Sequence, residues 1–199
     1  MPSPPTPTRK RTPQANPASE SRKRIPQANP ASESCNLLPG RGWSDPQTEQ
    51  LAAALSYAHA HGSTAKLEAL SLRENRIGDT GIKALSAVLV TGALPKIENL
   101  RLSANQIGDE GAVALSTAVE SGALRHLTHL YLDHNKIGDV GMVTLLGSLS
   151  KGSVASLSVL DVSSNQLGDA SVRQLGSNGW PASAGIERVA RVSWDRTGG

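Results

Sequence analysis

An asparagine recurs at thirty-residue intervals, at Asn75, Asn105, Asn135 and Asn165. Each stands in the same frame. The copies read LEALSLRENRIGDTGIKAL from Leu67, IENLRLSANQIGDEGAVAL from Ile97, LTHLYLDHNKIGDVGMVTL from Leu127 and LSVLDVSSNQLGDASVRQL from Leu157. Four copies of L-x-x-L-x-L-x-x-N-x-I/L-G-D predict a stack of one repeated unit, because a single short unit cannot bury its own apolar face. In the first unit, Leu67, Leu70 and Leu72 have the spacing of a short strand entered through a bend, with Ile77 joining them after a turn. Asn75 is polar where the chain must be interior. An interior Asn can use both amide donors and its carbonyl on the turn backbone of neighbouring units. The four asparagines therefore predict a structural ladder.

The second half of each unit has helical spacing. Asp79, Asp109, Asp139 and Asp169 stand at the expected N-cap, each after a glycine that permits a tight turn. Ile82, Leu85 and Leu89 follow at three- and four-residue steps, the apolar stripe of an amphipathic helix. Gly92, Gly122 and Gly152 mark the far ends. Gly81, Gly111 and Gly141 fall inside the first helical turn, where glycine costs roughly 1 kcal/mol relative to alanine. A cost repeated in three units predicts close approach of helix to strand. The fourth unit carries Ser171 instead, which predicts looser packing there.

A strand, a turn and a full helix in thirty residues, with the Asn column and the phrase I-G-D-x-G, resemble the ribonuclease-inhibitor-like class of leucine-rich repeats over residues 67–176. The resemblance implies an α/β solenoid shaped as a short, right-handed horseshoe, with a parallel sheet on the concave face, helices outside and four full repeats plus caps. The expected function is that of a non-enzymatic module that binds a protein or peptide on the concave face. The class also occurs in NOD-like receptors and Ran GTPase-activating proteins, so the alternative it implies is an activator of a small GTPase. The small number of repeats and the ending DRTGG, which lacks an acidic stretch, weigh against that alternative.

Terminal repeats need covers over their apolar faces. A helix over 45–61, starting at Asp45-Pro46, is the expected N-terminal cap, with Leu55 thirty residues before Leu85. A strand at about 187–195 is the expected C-terminal cap, with Val189, Val192 and Trp194 repeating the spacing of Leu157, Leu160 and Val162. These readings place a leucine-rich-repeat domain over 43–199.

Residues 1–42 are of another composition. RKRTPQANPASES at 9–21 is followed directly by RKRIPQANPASES at 22–34. This duplicated, Pro- and Ser-rich segment has no apolar periodicity and is expected to be disordered. It holds seven Lys or Arg against two Glu (+5), and residues 43–199 hold thirteen against fifteen (−2), which sum to the chain's +3. Lys10 and Arg11, a spacer, then Arg22, Lys23 and Arg24 resemble a bipartite nuclear import signal. The other readings are weak contact with nucleic acid or an acidic membrane, and solvated residues left by a duplication. With Cys35 the single cysteine and no signal-like apolar run, the expected location is a reducing compartment, the cytosol or nucleus. No stretch is long and apolar enough to span a membrane.

Side chains alternate along a strand, so the expected concave residues lie between the inward leucines. They are Ala69, Ser71, Arg73 and Glu74, then Asn99, Arg101 and Ser103, then His129, Tyr131, Asp133 and His134, then Val159, Asp161 and Ser163, with Arg191, Ser193 and Asp195 added by the last strand. Arg101, Tyr131 and Asp161 form one lateral row, and Arg73, Ser103, Asp133 and Ser163 the next. A tyrosine flanked by Arg and carboxylates has the composition of a binding hot spot. The competing reading is that the row's members satisfy one another. The partner-binding candidates are Arg73, Asn99, Arg101, His129, Tyr131, Asp133 and Asp161. The dense histidines of unit three, including His126, raise the question of a metal. His129 and Asp133 lie roughly 13 Å apart along a strand, so no metal, cofactor or catalytic role is expected.

Overall fold

The computed structural model describes residues 40–64, 66–151, 154–177 and 189–191. Strands and helices alternate along the chain: α1 (Asp45–Ala60), β1 (Ala69–Ser71), α2 (Asp79–Val90), β2 (Asn99–Arg101), α3 (Asp109–Glu120), β3 (His129–Tyr131), α4 (Asp139–Ser150), β4 (Val159–Asp161), α5 (Asp169–Ser177) and β5 (Val189–Arg191). The five strands form one parallel sheet in sequence order. Ala69, Asn99, His129 and Val159 are in register, as are Ser71, Arg101, Tyr131 and Asp161. A helix needs about 10 Å of width and a strand about 4.8 Å, so such a stack bends with its sheet inside. The expected α/β leucine-rich-repeat solenoid is the observed architecture.

Its core lies between the two layers. Leu70, Leu72, Ile77, Ile82 and Leu85 of unit one are fully enclosed, and their counterparts recur in unit two at Leu100, Leu102, Ile107, Ala112 and Leu115. Three-residue strands leave much turn backbone to be satisfied, and the Asn ladder does this. The Asn105 amide donates to the carbonyls of Leu72 (2.9 Å), Leu102 (3.0 Å) and Ser103 (3.2 Å), and its Oδ1 accepts from Ile77 N (3.1 Å). Asn135 and Asn165 repeat the pattern one and two units on. The residue before each Asn turns the chain through left-handed backbone: Glu74, Ala104, His134 and Ser164 have φ between 52° and 58°.

The aspartates do something other than cap their own helices. Gly78, Gly108 and Gly138 are the N-caps of α2, α3 and α4, and each Asp is the first helical residue. Its carboxylate reaches across to the next unit. Asp79 Oδ1 accepts from Gly108 N (2.7 Å) and Gly111 N (3.0 Å), and Asp109 does the same for Gly138 and Gly141. An Asp pointing forward along the stack thus satisfies helix-start donors thirty residues away, which a local capping rule does not anticipate. It also accounts for the glycines: a Cβ on Gly111 would lie 2.7 Å from Asp79 Oδ1 and 2.8 Å from Ile107 Cγ2. The close approach expected of these glycines is to the preceding unit's carboxylate rather than to a strand.

Unit four solves the same problem with a hydroxyl. Ser171 is fully buried, and both its N–H and its Oγ–H donate to Asp139 Oδ1. Ser171 itself is therefore well packed. Leu167, Val172 and Leu175 of the same unit are only half-buried where Ile137, Met142 and Leu145 of unit three are enclosed, so the looser packing expected of unit four is found in its apolar residues. The Ser171 hydroxyl is the main cause holding the Asp139 carboxyl below its ordinary 3.8, with the Gly168 and Ser171 amides adding to it.

The N-terminal cap is a repeat with a longer helix. Trp43 N donates to Asn75 Oδ1 and Trp43 O accepts from Arg76 N, the bonds that Ile77 makes to Asn105 and Gln106. Asp45 Oδ1 accepts from Gly78 N at 2.6 Å. W-S-D at 43–45 thus takes the place of I-G-D at 77–79, an offset of 34. Leu51 and Leu55 stand where Leu85 and Leu89 stand, correcting the thirty-residue alignment of Leu55 with Leu85. The extra four residues match α1's length of 16 against 12 for α2. Its N-cap is Ser44, in a capping box with Gln47, rather than Asp45.

At the other end β5 pairs Val159 with Val189, Leu160 with Ala190 and Asp161 with Arg191. The strand falls within the expected segment, but its register is two residues away from that implied by Val189, Val192 and Trp194. Ala190, not Val192, continues the leucine column. Val192, Ser193, Trp194, Asp195, Gly152 and the whole of 1–39 lie outside the described residues, as does the side chain of Arg191.

Three consequences are testable by equilibrium denaturation. Asn105→Ala strands the buried Ile77 N–H, and removes one of two donors from each of the Leu72, Leu102 and Ser103 carbonyls, lowering stability by about 1–3 kcal/mol; Asn165→Ala, at the partly exposed end, costs less. Gly111→Ala lowers stability by about 2 kcal/mol from overpacking although alanine is the better helix former. The third concerns pH. A depressed folded pKa gives stability that is present above the unfolded value and lost as pH falls through the folded one. The stability gap between the native chain and Asp139→Asn is therefore constant near neutrality and shrinks as pH drops below 3.8.

Candidate concave binding surface

The strands present their outward side chains in lateral rows, because every register step is one repeat. Side chains at 70, 100, 130 and 160 point into the core, and those at 69 and 71 and their counterparts point out. Of the expected surface, Arg73 and Arg101 are exposed, while Asn99, His129, Tyr131, Asp133, Val159 and Asp161 are half-buried. Ser71 and Ser103 are buried and leave the accessible surface.

Tyr131 is the centre of contact. The Arg101 guanidinium carbon sits 5.6 Å from its ring centroid, within cation–π range. On the same strand the His129 ring stacks with it, with ring centroids 6.2 Å apart and planes 20° from parallel. The i, i+2 spacing of a strand places these two rings on one face. The Tyr131 hydroxyl has no hydrogen-bond partner among the described residues.

The row does not satisfy itself as a unit. Arg101 and Tyr131 meet, but Asp161 does not join them: its Oδ1 accepts from Ser163 N (3.1 Å) and Ser163 Oγ (2.7 Å). Arg101 makes no ion pair among the described residues. The next row is more self-contained. Arg73 pairs with Glu74 at 2.7 Å, and Asp133 accepts from Ser103 Oγ at 2.5 Å and meets His134 Nδ1 at 3.1 Å. Asn99 carries a half-buried amide beside Ala69 and His129.

The helical face differs. There Lys83 pairs with Glu110 at 2.5 Å and Lys151 with Glu120 at 2.7 Å, each across neighbouring units. The hydrogen bond from Lys83 holds the Glu110 carboxyl below its ordinary value, and that from Lys151 does so for Glu120.

The histidines do not converge. His129 Nδ1 meets Thr128 Oγ1 at 2.8 Å, His134 turns to Asp133, and His126 is exposed before the strand. Among the described residues no three His, Cys, Asp or Glu lie close enough to hold a metal ion, and no helix is long and apolar enough to cross a membrane. Lys10, Arg11, Arg22, Lys23 and Arg24 fall outside the described residues.

The Leucine Rich repeat family matches four consecutive segments, 65–86, 93–116, 123–146 and 155–176. Each segment begins just before one of β1 to β4 and ends within the helix that follows. With this fold, the chain is a leucine-rich-repeat protein. Comparison with curated proteins finds no match.

Proposed function

We propose that the chain is a non-enzymatic binding module that takes a partner protein or peptide on its concave sheet. Leucine-rich repeats generally mediate protein–protein interaction. The observation that carries the reading here is the exposed Arg101 guanidinium over the half-buried Tyr131 ring, with no ion pair on the first and no hydrogen bond to the hydroxyl of the second among the described residues. A rigid aromatic held by an arginine presents apolar area and directional donors with little conformational freedom left to lose. The subclass we infer is ribonuclease-inhibitor-like, supported by a complete twelve-residue helix in each of units one to three.

The test is capture from a lysate of the source cell with three baits: the intact chain, the chain without residues 1–34, and the Arg101→Glu, Tyr131→Ala double variant. Removing only 1–34 keeps the Gly40–Trp43 turn that hydrogen-bonds to unit one. The expected result is a partner retained by the shortened chain and lost by the double variant. A partner retained by the double variant and lost with the tail would place binding outside the sheet and overturn the reading.

A further inference from the structure

The repeat frame reaches further back than the cap helix. The offset of 34 that sets W-S-D at 43–45 on I-G-D at 77–79 also sets Gly40 on Glu74. Two observations agree with it. Gly40 has φ 70°, the left-handed backbone that Glu74, Ala104, His134 and Ser164 hold before each ladder position. Gly40 N donates to Arg73 O at 3.2 Å, the bond that Glu74 N makes to Ser103 O and Ala104 N to Asp133 O, both at 2.9 Å. The chain thus arrives at Gly40 already on the path of a repeat, beside β1.

β1 ends the sheet and, among the described residues, pairs with β2 alone. In the later units the residue two before the left-handed turn donates to the next strand, as Leu72 N does to Arg101 O and Leu102 N to Tyr131 O. By the offset, the matching donor and acceptor at the edge of β1 are Leu38 N and Ser71 O. The sequence before Gly40 suits this place. Leu38 falls in the enclosed column of Leu72, Leu102, Leu132 and Val162. Pro39 falls with Arg73, Ser103 and Asp133, whose N–H groups take no part in the backbone bonds between units. A residue without an N–H fits there, and proline holds the residue before it extended. Asn36 departs from the pattern by falling with Leu70, which leaves the fit to rest on the Leu38 end.

We propose that residues 35–38 add to β1 as a further parallel strand, so that the chain itself covers the first edge of the sheet. An open edge presents unpaired N–H and C=O groups on which a strand of another protein can add. The proposal stands apart from the concave-face reading but enlarges the surface it describes. In this register Cys35 joins the row of Ala69, Asn99, His129 and Val159, and Leu37 joins that of Ser71, Arg101 and Tyr131. The face then begins with a thiol and an apolar side chain, two strands before Asn99 and Arg101.

Cys35 is the chain's single cysteine, so one added thiol tests the register. In Ala69→Cys a short bifunctional maleimide should join the two thiols about tenfold faster, or more, than in Arg73→Cys, because a seated thiol has the higher effective concentration. Positions 69 and 73 are about 13 Å apart along a strand. Arg73 lies beside Gly40, so an unseated segment would bring Cys35 to it at least as readily. Adding Leu38→Pro, which removes the donor to Ser71 O, should abolish the advantage of Ala69→Cys. Adding Leu37→Pro, at an N–H that faces away from β1, should keep it. Unchanged far-ultraviolet circular dichroism shows that each variant retains the solenoid. Equal rates in the two thiol variants, or an advantage indifferent to Leu38→Pro, would overturn the proposal and leave the concave-face reading untouched.

Discussion

The solenoid depends on a buried amide. A three-residue strand makes few ladder hydrogen bonds, and the turn that follows carries backbone groups into an interior without water. Unsatisfied, each such group costs more than a typical hydrogen bond contributes. Asn105 answers with four bonds, joining its own turn to the carbonyl of Leu72 and the N–H of Ile77 in the unit before. Because each amide serves two units, the ladder sets their spacing as well as their stability. The left-handed residue before each Asn delivers the amide inward, and units two and four use Ala104 and Ser164 there without a glycine.

A second ladder runs parallel to the first, on the helical side of the turn. The carboxylates of Asp45, Asp79, Asp109 and Asp139 each receive the helix start of the following unit. Neither ladder leaves room for insertion within the turn. The helix is different, since it meets its neighbours along its side, and α1 extends by four residues with no change to the turn before it. The two ladders fix registers at one end of each unit and so align the rows on the sheet. Arg101, Tyr131 and Asp161 lie side by side because three asparagines, not three surface residues, put them there.

Much of this is legible in the chain. The period, the strand and helix positions, the enclosed leucines and the role of the Asn column all follow from spacing, since a polar side chain buried in an apolar frame must find its partners in the turn backbone around it. The concave residues follow from alternation, except that Ser71 and Ser103 are covered, which depends on neighbours in other units. The aspartates escape the sequence because capping is a local rule, whereas their partners are one unit away. The cap at 43–45 is displaced by four residues from the thirty-residue period, and its frame keeps only the Asp of I-G-D to mark the shift. The register of the last strand is hidden for a similar reason: Ala190 gives a weak signal at a position where the other units have leucine.

By itself the sequence determined that the chain is a stack of thirty-residue α/β units, because no other arrangement buries four copies of one apolar frame. Only the tertiary structure decided which charges on the sheet are already engaged. Arg73 is paired with Glu74 and Asp133 with Ser103 and His134, whereas Arg101 lies over Tyr131 and Asp161 turns to Ser163. Those choices turn on distances of a few ångströms between side chains. Periodicity places such side chains in a row but says nothing of which one each will meet.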